Sequence, residues 1–322
     1  MTHDLIKNMD LMNKNLMNTR MVGLRRNKIS GLAAKCDCII LNISTIIYQV
    51  SNISKVKTIF IYSKEFKEAL VCDVINNLLK KIEHQVVIVI AGSDWTFPNN
   101  VDKRWKPTNK EDKDKIMEVI HNKKVNAFFV ENLDQDLGDK VHPFPLGINP
   151  KQSPVKLKYY LRFINHDIKK ILKCTNFNNI DGERPQWKER RDVLKKCSNQ
   201  WKDLCIEFVN KRIEHETYFK KLRKYQFTIC VSGGGLDPCP KLWDAILLGV
   251  IPIIKRKLPQ TKPFEDLPVV IIDDWTDDAI TLQKLKEWRS KYSKFFDNPD
   301  LRYQTLKKLT MGYWWKKIKN SL

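Results

Sequence analysis

The sequence predicts an α/β protein with two consecutive domains, each built around a parallel β-sheet. Its 322 residues are enough for about two domains at roughly 150 residues each. Short apolar runs alternate with segments of helical periodicity along most of the chain, which is the pattern of a parallel sheet covered by helices. A run rich in Pro, Gly and Asn at 141–154 interrupts this alternation, and we place the domain boundary there.

The first half of the chain contains three predicted strands and two predicted helices. Val86–Ala91 is a continuous run of apolar, mostly β-branched residues, typical of a strand buried on both faces. Between Glu65 and Glu83, apolar residues recur at the spacing of a helix with one buried face. The predicted strands are 58–62, 86–91 and 127–130, and the predicted helices are 65–83 and 112–123.

The second half repeats this alternation with more elements. The predicted strands are 171–174, 204–209, 227–231, 250–254 and 269–272, and the predicted helices are 189–196, 213–224, 241–248 and 277–296. A last helix is expected to begin at Pro299, with Asn298 as its N-cap. Thr276 is the expected N-cap of helix 277–296, so the aspartates of 273–278 are interpreted as helix-start residues rather than metal ligands.

The chain is expected to fall into four segments. These are a basic segment over 1–35, a first Rossmann-like domain over 36–152, a second over 153–298, and a C-terminal helix over 299–322 that packs back on the first domain. The aromatic and basic run at 313–319 is also compatible with contact to an anionic membrane surface. Packing is the interpretation that we favour.

The formal net charge is +21, which would attract polyanions such as nucleic acids. The excess consists mainly of lysines spread along the chain. Lys, Asn and Ile are abundant together and all have AT-rich codons, so genome composition explains much of the charge. The sequence has neither interleaved aromatic and basic residues nor a helix-turn-helix pattern, so no specific nucleic-acid partner is expected.

The sequence contains no run of about 18 apolar residues and no N-terminal apolar core of a secretory signal. A cytoplasmic location is therefore expected, unless a membrane anchor was removed. The eight cysteines are then expected to be reduced, and Cys36-x-Cys38 lacks the partner pair of a zinc site.

The most informative segment is a glycine loop between a predicted strand and a predicted helix, Ser232-Gly-Gly-Gly-Leu-Asp237. Asp237 is the expected helix N-cap, and the amides of such a loop form an anion site. Lys241 lies in the first helical turn, where the helix dipole disfavours a cation by about 0.3–1 kcal/mol unless an anion is bound. Asp244, one turn later, can bind ribose or sugar hydroxyls. A bare triple glycine, however, often serves only to turn the chain.

The residues around this loop extend the pattern. Ser-Gly-Gly-Gly-Leu-Asp-Pro, then Lys-Leu-Trp-Asp-Ala and Leu-Gly-Val-Ile-Pro, resembles the C-terminal signature of the exostosin-like glycosyltransferases, a GT-B superfamily. The resemblance is closest over 225–290 and includes Phe264–Trp275. The chain departs from the family pattern at Lys241, where Arg is frequent, at Asp244, where Glu is usual, and by one extra residue after Asp237.

This resemblance implies two Rossmann-like domains facing a central cleft, with a nucleotide-sugar on the second. It implies an inverting transfer from a nucleoside diphosphate sugar, most naturally UDP-linked, to a glycan hydroxyl, with no metal or further cofactor. Arg191 is preferred to Arg184 and Arg190 as the cation at the diphosphate because its placement is family-like. The candidate substrate-binding residues are Ser232, Gly233, Gly234, Gly235, Asp237, Lys241, Asp244, Arg191 and Asn176.

A general base for this reaction is sought at the strand ends of the first domain. Asp94 follows the strand Val86–Ala91 and is our candidate for deprotonating the acceptor hydroxyl. An Asx turn or a helix cap explains an Asp at this position equally well. Glu131 and His142 are alternative bases.

Two other functions stay open on the sequence alone. One is a polyanion-binding module without turnover, which the net charge favours. The other is a catalytically degenerate transferase kept as a structural or lectin-like protein.

Overall fold

The described residues are 17, 29, 31–67, 69–148, 168–180, 182–209 and 213–322 of a computed structural model. They form two β-sheets, each with helices packed on it. The predicted boundary at 152/153 and most of the predicted segment 1–35 lie outside these residues. No helix in the described part of the chain has the length and apolar character needed to cross a bilayer.

The first sheet has the strand order β2-β1-β3-β4-β5-β6. Only the β1–β2 pair is antiparallel; the other neighbours are parallel. Its elements are β1 (Cys38–Asn42), β2 (Thr45–Tyr48), β3 (Thr58–Tyr62), α1 (Leu70–Lys80), β4 (Val86–Ala91), α2 (Lys110–His121), β5 (Val125–Glu131) and β6 (Val141–Phe144).

Several features of this sheet differ from the prediction, and strands β1 and β2 were not predicted at all. The helix expected from Glu65 begins only at Leu70, because Ala69 has a left-handed backbone (φ 48°) and 63–67 form a 3-10 turn. Strand β6 lies inside the predicted linker. Its Pro143 is tolerated because β6 is an edge strand with a neighbour on one side only.

The second sheet is entirely parallel, with the order β11-β10-β9-β7-β8. Its strands are β7 (Ile171–Phe177), β8 (Cys205–Val209), β9 (Tyr225–Ile229), β10 (Ile251–Lys255) and β11 (Val270–Ile272). The helices are α3 (Lys188–Ser198), α4 (His215–Leu222), α5 (Lys241–Leu247), α6 (Leu282–Tyr292), α7 (Lys294–Asp297), α8 (Pro299–Lys308) and α9 (Met311–Lys319). Two such sheets in one chain confirm the predicted α/β fold with two Rossmann-like domains.

The helix boundaries of this half test three predicted caps. The Asn298 side chain accepts hydrogen bonds of 3.0 Å from the amides of Asp300 and Leu301, so its predicted N-cap role is confirmed. The predicted N-cap role of Thr276 was wrong, because α6 begins at Leu282 and is capped by Thr281. The predicted N-cap role of Asp237 was also wrong, because α5 begins after Pro240.

Each sheet has an apolar cluster on each of its two faces, so four clusters bury the two sheets. The C-terminal helices contribute to both domains. Leu306 of α8 packs in a cluster of the second domain, whereas Trp314 and Ile318 of α9 pack in a cluster of the first. The Trp314 ring meets Phe144 at 5.4 Å between centroids, so this tryptophan belongs to the core.

Candidate functional site

The glycine loop, residues 232–237, lies between the two sheets. It follows β9, the central strand of the second sheet. The segments that follow β4 and β5 in the first sheet, Gly92–Asp94 and Glu131–Asn132, lie opposite the loop. The carboxyl ends of strands from both domains therefore meet here, where ligands bind in folds of this kind.

Close approach by side chains explains the glycines of the loop. A Cβ on Gly235 would lie 2.5 Å from the side-chain oxygen of Asn132, and a Cβ on Gly234 would overlap the Arg104 guanidinium. Both neighbours come from the first domain. The triplet is thus a surface that the opposite domain packs against, in addition to a bend in the chain.

Asn132 joins the two domains through its side chain. Its Oδ1 accepts hydrogen bonds from the amides of Leu236 (2.8 Å) and Asp237 (2.9 Å), and its Nδ2 donates to the Ser93 carbonyl (3.1 Å). Its backbone is left-handed, with φ 59°. Two amides of the glycine loop are therefore already occupied by the first domain.

Two further buried side chains complete the link. Asp237 accepts hydrogen bonds from the amides of Leu146 (3.0 Å) and Cys239 (2.9 Å). Gln260, fully buried, accepts from the Leu133 amide and donates to the Phe144 carbonyl, both at 2.9 Å. Because buried polar groups are costly to leave unpaired, these bonds fix the position of the loop against the first domain.

Arg190 supplies a buried positive charge behind the loop. Its guanidinium donates to the carbonyls of Ser232 (3.1 Å), Asn179 (2.7 Å) and Val231 (3.3 Å), and it lies 4.5 Å from the centre of the Trp187 ring. The residue is 7% exposed. Burial lowers the pKa of this guanidinium, and no carboxylate of the described residues forms an ion pair with it. Asp94 and Glu189 act on this charge only from a distance, so main-chain carbonyls are its direct partners.

The structure brings Arg190, and not the predicted Arg191, to the loop. Arg191 donates to the carbonyls of Gly182 (3.1 Å) and Arg184 (3.2 Å) and pairs with Glu183 at 3.3 Å. Successive residues of an α-helix point about 100° apart, so one of the two arginines faces the loop and the other faces away.

Two cavities flank the loop. The larger, of about 480 Å³, extends from Gly233–Leu236 to the first turn of α3 and the ends of β10 and β11. The smaller, of about 220 Å³, lies between the domains and is lined by Asp94, Glu131, Arg190 and Asp237. The glycines line both cavities, so the loop forms a wall that the two cavities share.

The wall of the larger cavity is rich in donors. None of the described residues accepts a hydrogen bond from the amides of Gly233, Gly234 or Gly235. Lys257 lines the same cavity and pairs with Glu189 at 3.0 Å, and Lys255 pairs with Asp274 at 2.7 Å. Glu189 and Asp274 line the same cavity and neutralise these lysines, so the open amides are the groups suited to phosphate oxygens.

Asp94, the predicted base, lines the smaller cavity. Its carboxylate is 31% exposed and accepts a hydrogen bond of 2.9 Å from Arg104, which is also held by Asp102. Glu131 lines the same cavity but is fully buried, and its carboxylate accepts from the Gly92 amide at 2.8 Å. His142 contacts Phe129 with the two rings tilted by 41° and their centroids 5.2 Å apart, and it lines neither cavity; burial, and then Lys317, lower its pKa.

The remaining predicted residues lie behind the loop and line neither cavity. The Ser232 hydroxyl donates to the Leu236 carbonyl (3.1 Å) and closes the loop. Asn176 is buried and donates to Cys197 Sγ (3.3 Å). Lys241 donates to the Phe177 carbonyl (3.1 Å) and to Asn178, and burial lowers its pKa.

Asp244 is 1% exposed and faces Tyr218 instead of a cavity. Burial, and then the Asp244 carboxylate, raise the pKa of Tyr218 well above its usual value. Direct contact between Asp244 and a ligand in either cavity is therefore not possible in this arrangement.

Sequence reasoning missed Asn132, Arg104 and Gln260. Asn132 follows a buried strand, and the rule that strand ends carry the site would have selected it. Arg104 and Gln260 lie in loops with no local pattern, and only the fold brings them to the cleft.

No protein-family model matches the sequence, and no curated protein matches it. Among solved structures, a chain of the crystal structure of the GtfA/B complex is similar, with 10% identity and a TM-score of 0.37. The alignment covers 87% of this chain and 62% of that chain, so the present chain spans less than two thirds of the neighbour. A likeness of this size carries no conclusion about function.

Proposed function

We propose that this protein is an exostosin-like glycosyltransferase that moves a sugar from a nucleoside diphosphate donor, UDP-linked, to a hydroxyl of a glycan acceptor. The observation that supports it best is the open amide face of Gly233–Gly235, which lies between two cavities with Arg190 behind it. An anion site flanked by two chambers suits a reaction with a diphosphate leaving group and two substrates.

The donor occupies the larger cavity. Its diphosphate accepts hydrogen bonds from the three glycine amides, and Arg190, which lines the smaller cavity, offsets the negative charge from the other side of the loop. As the bond from the sugar to the diphosphate breaks, its electron pair passes to the leaving oxygen. Donors held in place before the reaction stabilise that charge most in the transition state.

The acceptor hydroxyl lies in the smaller cavity beside Asp94. The carboxylate takes the proton of the hydroxyl while the oxygen attacks the anomeric carbon from the face opposite the diphosphate, so the configuration inverts. Arg104 orients this carboxylate through their 2.9 Å bond. Lys241 and Asp244 act as positioning residues, since they support the start of α5 from behind the loop.

Thermal unfolding with nucleotides is the first test. The full chain is heated with UDP, GDP, ADP or a short DNA duplex, at low and at high salt. The folded protein is then assayed for release of UDP from UDP-sugars. A rise in Tm with UDP that survives high salt, followed by turnover, is the expected result. Stabilisation by every anion that disappears in salt would contradict it and favour the polyanion-binding alternative.

A further inference from the structure

A separate pocket of about 430 Å³ lies at the edge of the second sheet opposite the glycine loop. It is lined by Ile168–Lys170, which precede β7, by Arg223, which precedes β9, and by Gly249, which precedes β10. We call it the amino-edge pocket. Because the strands are parallel and each residue of a strand spans about 3.3 Å, the length of the sheet separates it from the donor cavity.

Positive charge dominates this pocket. Five cationic side chains line it, against a single carboxylate, Asp297, which pairs with Arg289 at 3.2 Å. Among the described residues, neither Lys170 nor Arg302 forms an ion pair. The cationic residues are Lys169, Lys170, Arg223, Arg289 and Arg302.

Two polar atoms of the pocket residues, one donor and one acceptor, are buried with no hydrogen-bond partner among the described residues. They are Nη1 of Arg289 and the side-chain oxygen of Gln226. Lys170 uses two of its three N–H groups, on the carbonyls of Arg223 (2.6 Å) and Leu248 (3.0 Å). Nη1 of Arg289 and the third N–H of Lys170 are thus unused donors from separate elements around one pocket, and a bound oxyanion would accept hydrogen bonds from both.

Capping of α5 explains only part of this charge. Arg302 donates to the carbonyls of Ile246 (2.7 Å) and Leu247 (2.9 Å) at the end of that helix. A helix C-terminus is equivalent to roughly half a negative charge, so it offsets less than one of the five cations. Capping also leaves Nη1 of Arg289 without an acceptor.

The lowered pKa of Lys170 agrees with an excess of positive charge that a bound anion would offset. Burial, and then Arg302, Arg223 and Arg289, lower its pKa from 10.5 to about 8. Cations do not normally collect around a buried ammonium, because their mutual repulsion disfavours the charged form.

We propose that the amino-edge pocket binds a multiply charged oxyanion of the phosphate type, as a diphosphate or a phosphate ester. Leu247, Leu248, Ile251 and Phe296 supply an apolar wall for an organic part of an ester. The proposal does not depend on the transferase activity, because no residue of the donor cavity lines this pocket.

Calorimetric titration with inorganic pyrophosphate and inorganic phosphate, at constant ionic strength and pH 7, tests this site. The variant is Arg289→Gln. The matched control is Lys286→Gln, which removes a charge from an exposed position on the same helix outside the pocket. Pyrophosphate is expected to bind more tightly than phosphate, and R289Q to weaken this binding about tenfold, which is about 1.4 kcal/mol. K286Q should bind as the wild type does.

Equal binding by wild type and R289Q would overturn the proposal, because the anion would then lie elsewhere, at the glycine loop or on the surface. If R289Q does not fold, the ammonium of Lys170 is followed by NMR in the wild type. Pyrophosphate should raise its pKa above 8, and an unchanged pKa at saturating pyrophosphate would also overturn the proposal. Lys169→Gln, at an exposed position of the pocket, should show a smaller loss of affinity.

Discussion

The side-chain oxygen of Asn132 accepts a hydrogen bond of 2.9 Å from the amide of Asp237, across the gap between the two sheets. The same oxygen accepts from the neighbouring amide of Leu236 at 2.8 Å. A first-domain side chain thus takes the place that an anion would occupy on two amides of the loop, and the three glycine amides beside them stay open. The loop is held rigid by one domain, so it need not reorganise when a diphosphate binds.

Asn132→Ala should therefore lower the free energy of unfolding by about 2–3 kcal/mol, because the buried amide of Asp237 loses its acceptor at about 1–3 kcal/mol and the half-buried amide of Leu236 loses it at a smaller cost. Urea unfolding measures the change. Asn77→Ala, at an exposed position of α1, is the control and should change stability by less than about 0.5 kcal/mol. A cost for N132A no larger than that of N77A would show that the bond across the domains contributes nothing.

Arg190 and Arg191 form a matched pair for the transferase proposal. Arg190→Gln should lower turnover of UDP-sugar about 100-fold, because it removes a fixed charge beside the leaving diphosphate. Arg191→Gln removes the same charge from a neighbouring residue that faces away, and should keep activity within about threefold of wild type. Melting curves identify a folding defect in either variant. Equal activities of the two folded variants would remove Arg190 from the donor site.

The sequence predicted those parts of the fold that depend on local pattern. Strand β4 has the predicted bounds, Val86–Ala91, because a run of β-branched residues bounded by polar ones needs no distant information. Helix α1 was predicted too long because the left-handed backbone of Ala69 is set by packing and not by residue type. Strand β6 was missed because its proline, Pro143, and Pro145 just after it are typical of a loop.

The same limit applies to the candidate site. The glycine loop was visible as a local motif, whereas its contact with Asn132 joins residues more than 100 positions apart. Which of Arg190 and Arg191 faces the loop depends on the rotation of α3 about its axis. The resemblance to the family does not determine this rotation. Asp244 was expected to contact a ligand because of its place in the helix after the glycine loop. In the structure, its carboxylate in α5 faces Tyr218.

Gly234→Ala should reduce turnover while the chain still folds. Its Cβ would displace the Arg104 guanidinium, the end of a flexible side chain, and so disturb the pair with Asp94. A double-mutant cycle with Arg104→Ala isolates this clash, because the stability cost of G234A should largely vanish when Arg104 is absent. Gly312→Ala in α9, where a Cβ has room, is the control and should not destabilise the protein. Undiminished cost in the R104A background would contradict the clash.

Lys170 makes stability depend on pH in a predictable direction. Its pKa is lowered to about 8 in the folded protein from 10.5, so between these values the unfolded chain binds more protons. The free energy of unfolding contributed by this group therefore rises with pH across that window, and the destabilising charge is fully present below pH 8. The groups that face it are Lys169, Arg223, Arg289, Arg302 and Asp297.

Urea unfolding at pH 7.5 and 9.5 tests this dependence against Lys170→Met, which cannot titrate. Other groups titrate similarly in both proteins, so the difference between them isolates Lys170. The stability advantage of K170M at pH 7.5 should shrink at pH 9.5. A difference that stays constant between the two pH values would show that Lys170 titrates normally.

Asp94→Asn separates catalysis from donor binding. The amide cannot take the acceptor proton, so transfer to a glycan should fall about 10²- to 10⁴-fold, the usual contribution of a general base. The Tm shift with UDP should persist, because Asp94 lines the smaller cavity and not the larger one. Glu131→Gln is the companion variant: Glu131 is fully buried and bonded to the Gly92 amide, so its change should lower stability more than turnover of the folded fraction. If E131Q abolishes transfer in folded protein while D94N retains it, the base is Glu131, and Asp94 serves to hold Arg104 against the glycine loop.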